Sequence, residues 1–212
     1  MKLALLLGLV LMLVPADTRA ETAVPPAGVA DLFPEGAYGA ALAATLGAPS
    51  DQQDFAALRA VYAASPGYNG TSRIADKAKH DFMKQTEGEA VEAWSTDDHL
   101  TAIFADFPLL DTQIAAHAYF KGLPNPKAGR MADSHVAFYH AILKVILASE
   151  EKVAEGRRFK VLSIGEEYAV MAALKLKRGI QALRMIDGVA HDVFDTDQGK
   201  VLFDISAFFG KF

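Results

Sequence analysis

The sequence predicts an α+β fold: a helical bundle built from helical hairpins over residues 51–155, then a small antiparallel β-sheet with one packed helix over residues 157–212. Two patterns predict it. Between Asp51 and Lys152 apolar residues recur at helical spacing and the stops are marked by proline and glycine. From Ile180 onward the period falls to two, with Asp187-Gly188 between apolar runs, a pair suited to a tight hairpin turn that needs φ > 0 at both central positions. A third observation bounds the chemistry. Cysteine is absent, which excludes disulfides, thiolate metal sites, a cysteine nucleophile and a lipid-modified N-terminal cysteine.

At the start, Met1-Lys2 forms a short basic region, Leu3 to Val14 is apolar, and Thr18-Arg19-Ala20 offers small residues where a signal peptidase reads. Residues 1–20 are therefore expected to be a secretory signal peptide cleaved after Ala20. The apolar run is shorter than the roughly 20 residues that span a bilayer. The mature product is expected to be periplasmic or secreted, and not membrane-spanning. Residues 21–50 form a leader rich in Pro, Ala and Gly, with a weak helical patch at Tyr38 to Leu46.

Helices are expected at about Asp51–Ala64, where Ser50 and Gln53 have capping-box spacing, and at Ser72–Gln85, Glu87–Trp94, Asp97–Asp106 and Thr112–Lys121. Ser65-Pro66-Gly67 and Leu123-Pro124-Asn125-Pro126 are stops. The longest helix is expected over Ala128–Lys152, with Val136, Tyr139, Leu143, Ile146 and Leu147 on one stripe, and a boundary follows near Glu155-Gly156. These short helices resemble tetratricopeptide-like hairpin stacking in architecture, without a clean repeat period.

Phe159–Ile164 reads as a strand. Ser163 and Glu166 then have the capping-box spacing that opens a helix, with Tyr168, Met171 and Leu174 on its apolar face and Gly179 as its stop. Three strands follow, IQALRMI, VAHDVFD and KVLFDIS, as a meander.

Charge is uneven. Residues 21–156 carry 10 basic and 18 acidic side chains, and residues 157–212 carry 9 and 7. That asymmetry is too weak to indicate nucleic acid. Walker, GxSxG, HExxH, EF-hand and GxGxxG motifs are all missing. His135 and His140 are five apart and diverge on a helix, while His80 and His117 stand alone, so no metal or cofactor is expected. Asp97, Asp98 and His99 follow Ser95-Thr96 at a helix start, where capping accounts for the acids.

The carboxylates that chemistry could use are Glu166 and Glu167, with His191 and Asp192 from a later strand as further titrating groups. Adjacent helix residues diverge by about 100°, so Glu166 and Glu167 are not expected to share one proton. Asp204 should face solvent or an ion pair. Tyr168 and the basic residues Arg157, Arg158, Lys160, Lys175, Lys177 and Arg178 are binding candidates, because strand and helix are consecutive and the charges could form one anion-docking patch.

The runs Glu166-Glu167-Tyr168, Gln181-Ala182-Leu183, His191-Asp192-Val193 and Phe203-Asp204-Ile205-Ser206, with Leu58-Arg59-Ala60-Val61-Tyr62 and Tyr68-Asn69, are similar to a family of secreted bacterial proteins defined as a domain of unknown function. The chain departs from it at Ala154-Glu155-Gly156-Arg157, where the family has a Gly-Asp-Gly-rich loop. The resemblance implies a helical N-terminal part and a small β unit, and no activity. The function expected is a non-enzymatic binding module of the cell envelope, its partner a protein or peptide. The alternatives are a hydrolase using Glu167 and His191, and an accessory or inhibitor of a secreted enzyme.

Overall fold

In the computed structural model, residues 32–210 are described. The expected signal peptide and the first part of the leader lie outside them. Among the described residues six helices come first: α1 Gly36–Gly47, α2 Phe55–Ala63, α3 Arg73–Thr86, α4 Thr96–Ala105, α5 Leu110–Gly122 and α6 Pro126–Ala148. Then come β1 Glu151–Val153, β2 Gly156–Lys160, α7 Ile164–Ala173, β3 Arg178–Ile186, β4 Val189–Thr196 and β5 Gly199–Asp204.

The helical patch in the leader is real and docked: α1 buries Tyr38, Leu42 and Leu46. Helix α2 begins at Phe55, later than expected, because Asp54 and not Ser50 caps it, accepting from the Ala57 N–H at 2.9 Å. Ser95 and Asp98 make the full reciprocal capping box at the start of α4. No helix forms over residues 87–94. Gly88 takes φ 75° and ends α3, and the acidic segment beyond it has propensity without an apolar face to bury. Asn125 and Pro126, expected as a stop, also start α6 as N-cap and first residue. That helix ends at Ala148, short of Lys152, because Ser149 Oγ accepts from the Lys160 N–H at 3.0 Å and residues 151–153 pair with β2. The expected boundary near Glu155-Gly156 is therefore the turn of a β1–β2 hairpin.

The sheet has the order β1-β2-β5-β4-β3. It is mixed and not purely antiparallel, since β2 runs parallel to β5 with Phe159 beside Phe203. The parallel pair follows from α7, which carries the chain across the sheet between β2 and the β3–β4–β5 meander. Asp187 and Gly188, with φ 51° and 78°, form the expected tight turn. Gly179 does not end α7. Lys175, at φ 55°, takes the left-handed position after the helix, and Gly179 lies in β3.

Cross-strand pairing fixes which side chains share a face. Phe159, Phe203 and Asp192 lie side by side on one face, with Phe194 next along β4. Phe159, Phe194 and Phe203 belong to the same buried cluster as Tyr62, Phe107 and Ile142 of the helical part, so one core joins both halves. His191, Val193 and Leu202 are buried on the other face of the sheet. The helices pack as an irregular bundle around α5 and α6, and the tetratricopeptide-like stacking suggested by the sequence is not evident.

Candidate functional site

The start of α7 collects most of the buried charge, because the helix turns an unexpected face inward. Its buried residues are Glu166, Glu167, Val170 and Met171, whereas Tyr168 is partly exposed. Ser163 caps the helix, its Oγ accepting from the Glu166 N–H at 3.3 Å and donating to Asp111 Oδ2 at 2.9 Å. Gly165 lets that carboxylate approach, since a Cβ there would stand 1.9 Å from Asp111 Oδ1. Burial, and then the charge of Glu166, raise the Asp111 carboxyl to about 6 against the opposing hydrogen bond from Ser163.

Glu166 does not complete the capping box by reaching the Ser163 N–H. It accepts from the Leu162 N–H at 2.7 Å and takes a bidentate bond from Arg59, at 2.6 and 2.8 Å. Arg59 also donates to the Pro108 carbonyl at 2.9 Å. Arg59 and Glu166 are both buried and satisfy each other, so neither carries a free charge for a ligand. Such a pair costs desolvation on both sides, and its satisfied geometry offsets that cost. Its structural effect is to fix α7 against α2. The sequence held a signal for Arg59: Phe55, Leu58, Arg59 and Tyr62 follow the i, i+3, i+4, i+7 spacing of a buried face, and an arginine there needs a buried anion.

About 100° further round α7, Glu167 faces the sheet. It is fully buried, and neither oxygen accepts a bond from an N–H or O–H donor among the described residues. The polar group it meets is the Asp192 carboxylate. Burial first, then the nearby charge of Asp192, push Glu167 up to about 8. A carboxyl buried beside a second carboxylate is held back from ionising, which favours the protonated form of Glu167. Gln181 Nε2 donates to Asp192 Oδ2 at 2.8 Å from the neighbouring strand.

His191 is not part of this pair. Adjacent strand residues point to opposite faces, so with Asp192 turned toward Glu167, His191 points away and the sheet stands between them. Its Nδ1 lies 2.9 Å from the Val189 carbonyl, which makes that nitrogen the donor, and its Nε2 is buried without a partner among the described residues. The expected combination of Glu167 with His191 is therefore replaced by Glu167 with Asp192.

The expected basic patch is also divided. Strands β2 and β3 are separated by β5 and β4, three strand spacings or about 14 Å. Arg157 and Arg158 are paired with Glu150 and Glu151 across the β1–β2 hairpin. Lys177 donates its backbone N–H to Asp197 at 2.9 Å, and Arg178 lies over the Tyr168 ring, 5.1 Å from its centroid. Asp204 accepts from the Ser206 N–H and hydroxyl.

A groove of about 230 Å³ opens at the seam of the two halves. Ala56, Ala60 and Ala63 of α2 face Val145 and Ile146 of α6, with Leu162 and Lys160 from the C-terminal unit and Arg59 and Ser149 completing the lining. The three alanines recur at i, i+4, i+7, and their small side chains leave space that leucines would fill. Arg59 is already neutralised by Glu166, while Lys160 has no ion pair among the described residues. Within the described residues no group of three or more His, Cys, Asp or Glu is placed to hold a metal, and no helix is long and apolar enough to cross a membrane. No family model, curated protein or solved structure matches the chain.

Proposed function

We propose that the chain is an exported cell-envelope protein that binds a peptide segment of a partner in the groove between α2, α6 and the end of β2, and catalyses no reaction. The groove is the observation that carries this reading. At about 230 Å³ it lies below the ~300 Å³ at which small-molecule pockets begin, a size suited to one or two apolar side chains. Lys160, exposed at the lining, adds a preference for a carboxylate beside that apolar anchor. Export rests on the expected signal peptide over residues 1–20. If the partner is itself a secreted enzyme, the chain is its accessory or inhibitor.

The hydrolase reading needs Glu167 and His191 within hydrogen-bond reach or one bridging water. The sheet separates them, and Glu167 has no exposed surface for a substrate to meet. Titrating the isotope-labelled chain with a blocked Leu-Leu-Glu peptide should shift the amides of Ala56, Ala60, Val145 and Lys160, and Ala60→Trp should abolish the effect by filling the groove. Shifts elsewhere, or unaltered binding by a folded Ala60→Trp chain, would remove the support for this reading.

A further inference from the structure

Away from the groove, at the far edge of the sheet, β3 is a long strand that among the described residues pairs on one side only. Edge strands are ordinarily blunted by shortness, proline, charge, a bulge or cover, because their free N–H and C=O groups template another strand; β3 has a bulge only at its start, between Arg178 and Gln181, and its charges are all of one sign. The other edge obeys this, since β1 has three residues. Strand β3 has nine, contains no proline, and is exposed along most of its length. Ile180, Leu183 and Met185 stand 74%, 55% and 61% exposed. Partly exposed Tyr168 borders this edge, its ring against Phe194 and under the Arg178 guanidinium.

Charge selects the occupant. From Lys175 to Ile186 the chain carries Lys175, Lys177, Arg178 and Arg184 and no acidic residue. None of the four forms an ion pair among the described residues. Two copies joined β3 to β3 would bring these cations together, and like charges on paired strands are destabilising. An acidic strand would meet opposite charge. Its apolar residues at alternate positions would cover Leu183 and Met185, which lie on one face of β3.

We infer that β3 is a docking edge for an extended acidic segment of a partner protein, which adds to the sheet as a sixth strand and places apolar side chains over Leu183 and Met185 and carboxylates on the opposite face beside Arg184, with Arg178, Lys175 and Lys177 adding to the attraction at the start of the strand. This is β-strand addition, in which main-chain hydrogen bonds give affinity and the alternating side chains give selectivity. It does not depend on the groove.

The test uses two blocked strand-length peptides, one alternating valine with glutamate and one alternating valine with lysine, titrated into the isotope-labelled chain. The valine–glutamate peptide should shift the amides of residues 178–186 and slow hydrogen exchange at the outward N–H groups of β3. Its binding should weaken severalfold as salt is raised above physiological strength, and the valine–lysine peptide should bind at least severalfold more weakly. Arg178→Glu with Arg184→Glu, both exposed positions, should reverse the preference. The inference is overturned if neither peptide binds, if both bind alike, or if the shifts fall on α2 and α6. It is equally overturned if β3 is protected in the free chain in proportion to concentration with a dimer's mass, since a second copy would then hold the edge.

Discussion

At the residue scale, the carboxylates of α7 divide the labour of the fold. Glu166 keeps an ionic partner in Arg59, and Glu167, buried beside Asp192, is pushed toward its protonated form. The second arrangement makes stability depend on pH. Glu167 is raised to about 8 from 4.5, so its contribution to stability is present at low pH and lost as pH rises through 8. Asp111, raised to about 6, acts in the same direction at lower pH. Buried His135 has the opposite sign: its pKa falls from 6.5 to about 3, so it costs stability as pH drops below 6.5. From pH 6.5 to 8 Glu167 is the one of these three still titrating. Thermal midpoints should fall across that window, and Glu167→Gln, which keeps shape and can donate to Asp192, should flatten the fall. An equal fall in the Gln variant would show that Glu167 does not hold the proton.

The sequence exposed Glu166, Glu167 and Asp192 as titratable residues but not their pairing. Apolar periodicity placed Tyr168, Met171 and Leu174 inward; Met171 is buried and Leu174 packs at the core margin, but Tyr168 is exposed and Glu166, Glu167 and Val170 take the rest of the buried face. The error has a physical origin. A buried acid is unfavourable alone, and its compensation by Arg59, 107 positions away, or by Asp192 is invisible in a local window.

At the element scale, strong local signals were legible and contested ends were not. The Ser95 and Ser163 caps and the Asp187-Gly188 turn lie where local geometry alone decides. The end of α6 moved because a partner elsewhere took the chain, Lys160 and β2 claiming Ser149 and residues 151–153, whereas the start of α2 and the end of α7 were decided by nearby rivals, Asp54 and Lys175. Gly165 tests how closely α7 docks on α5. In an exposed helix Gly→Ala gains about 1 kcal/mol. Here the new Cβ would fall 1.9 Å from Asp111 Oδ1 and displace the carboxylate from Ser163. The clash should win, so Gly165→Ala should destabilise by about 1–3 kcal/mol in urea unfolding. Combining it with Asp111→Ala should recover part of that loss, and stabilisation by the single variant would refute the close contact.

At the scale of the whole molecule, the helical part and the sheet share one core, and the Arg59–Glu166 pair bridges them. Arg59→Met should leave Glu166 buried and uncompensated, costing about 3–5 kcal/mol, whereas Arg59→Met with Glu166→Leu should regain most of it. Trp94, the single tryptophan, reports on the helical part, and backbone amides of β4 report on the sheet. Both should unfold in one coincident transition in each variant, and separate midpoints would mean the seam does not couple the halves.

Composition and periodicity by themselves determined that the chain is α+β, where most helices lie, the order of the strands after Ile180 and the lack of any thiol chemistry, because each depends on residues close in sequence. Only the tertiary structure decided that β2 lies parallel to β5, that Glu167 faces Asp192 and not His191, that the basic residues are divided between β2 and the region around β3 on the far side of the sheet, and that alanines on α2 open a groove. Those outcomes depend on which distant segments compete for the same buried face, and that competition is resolved only when the whole core packs.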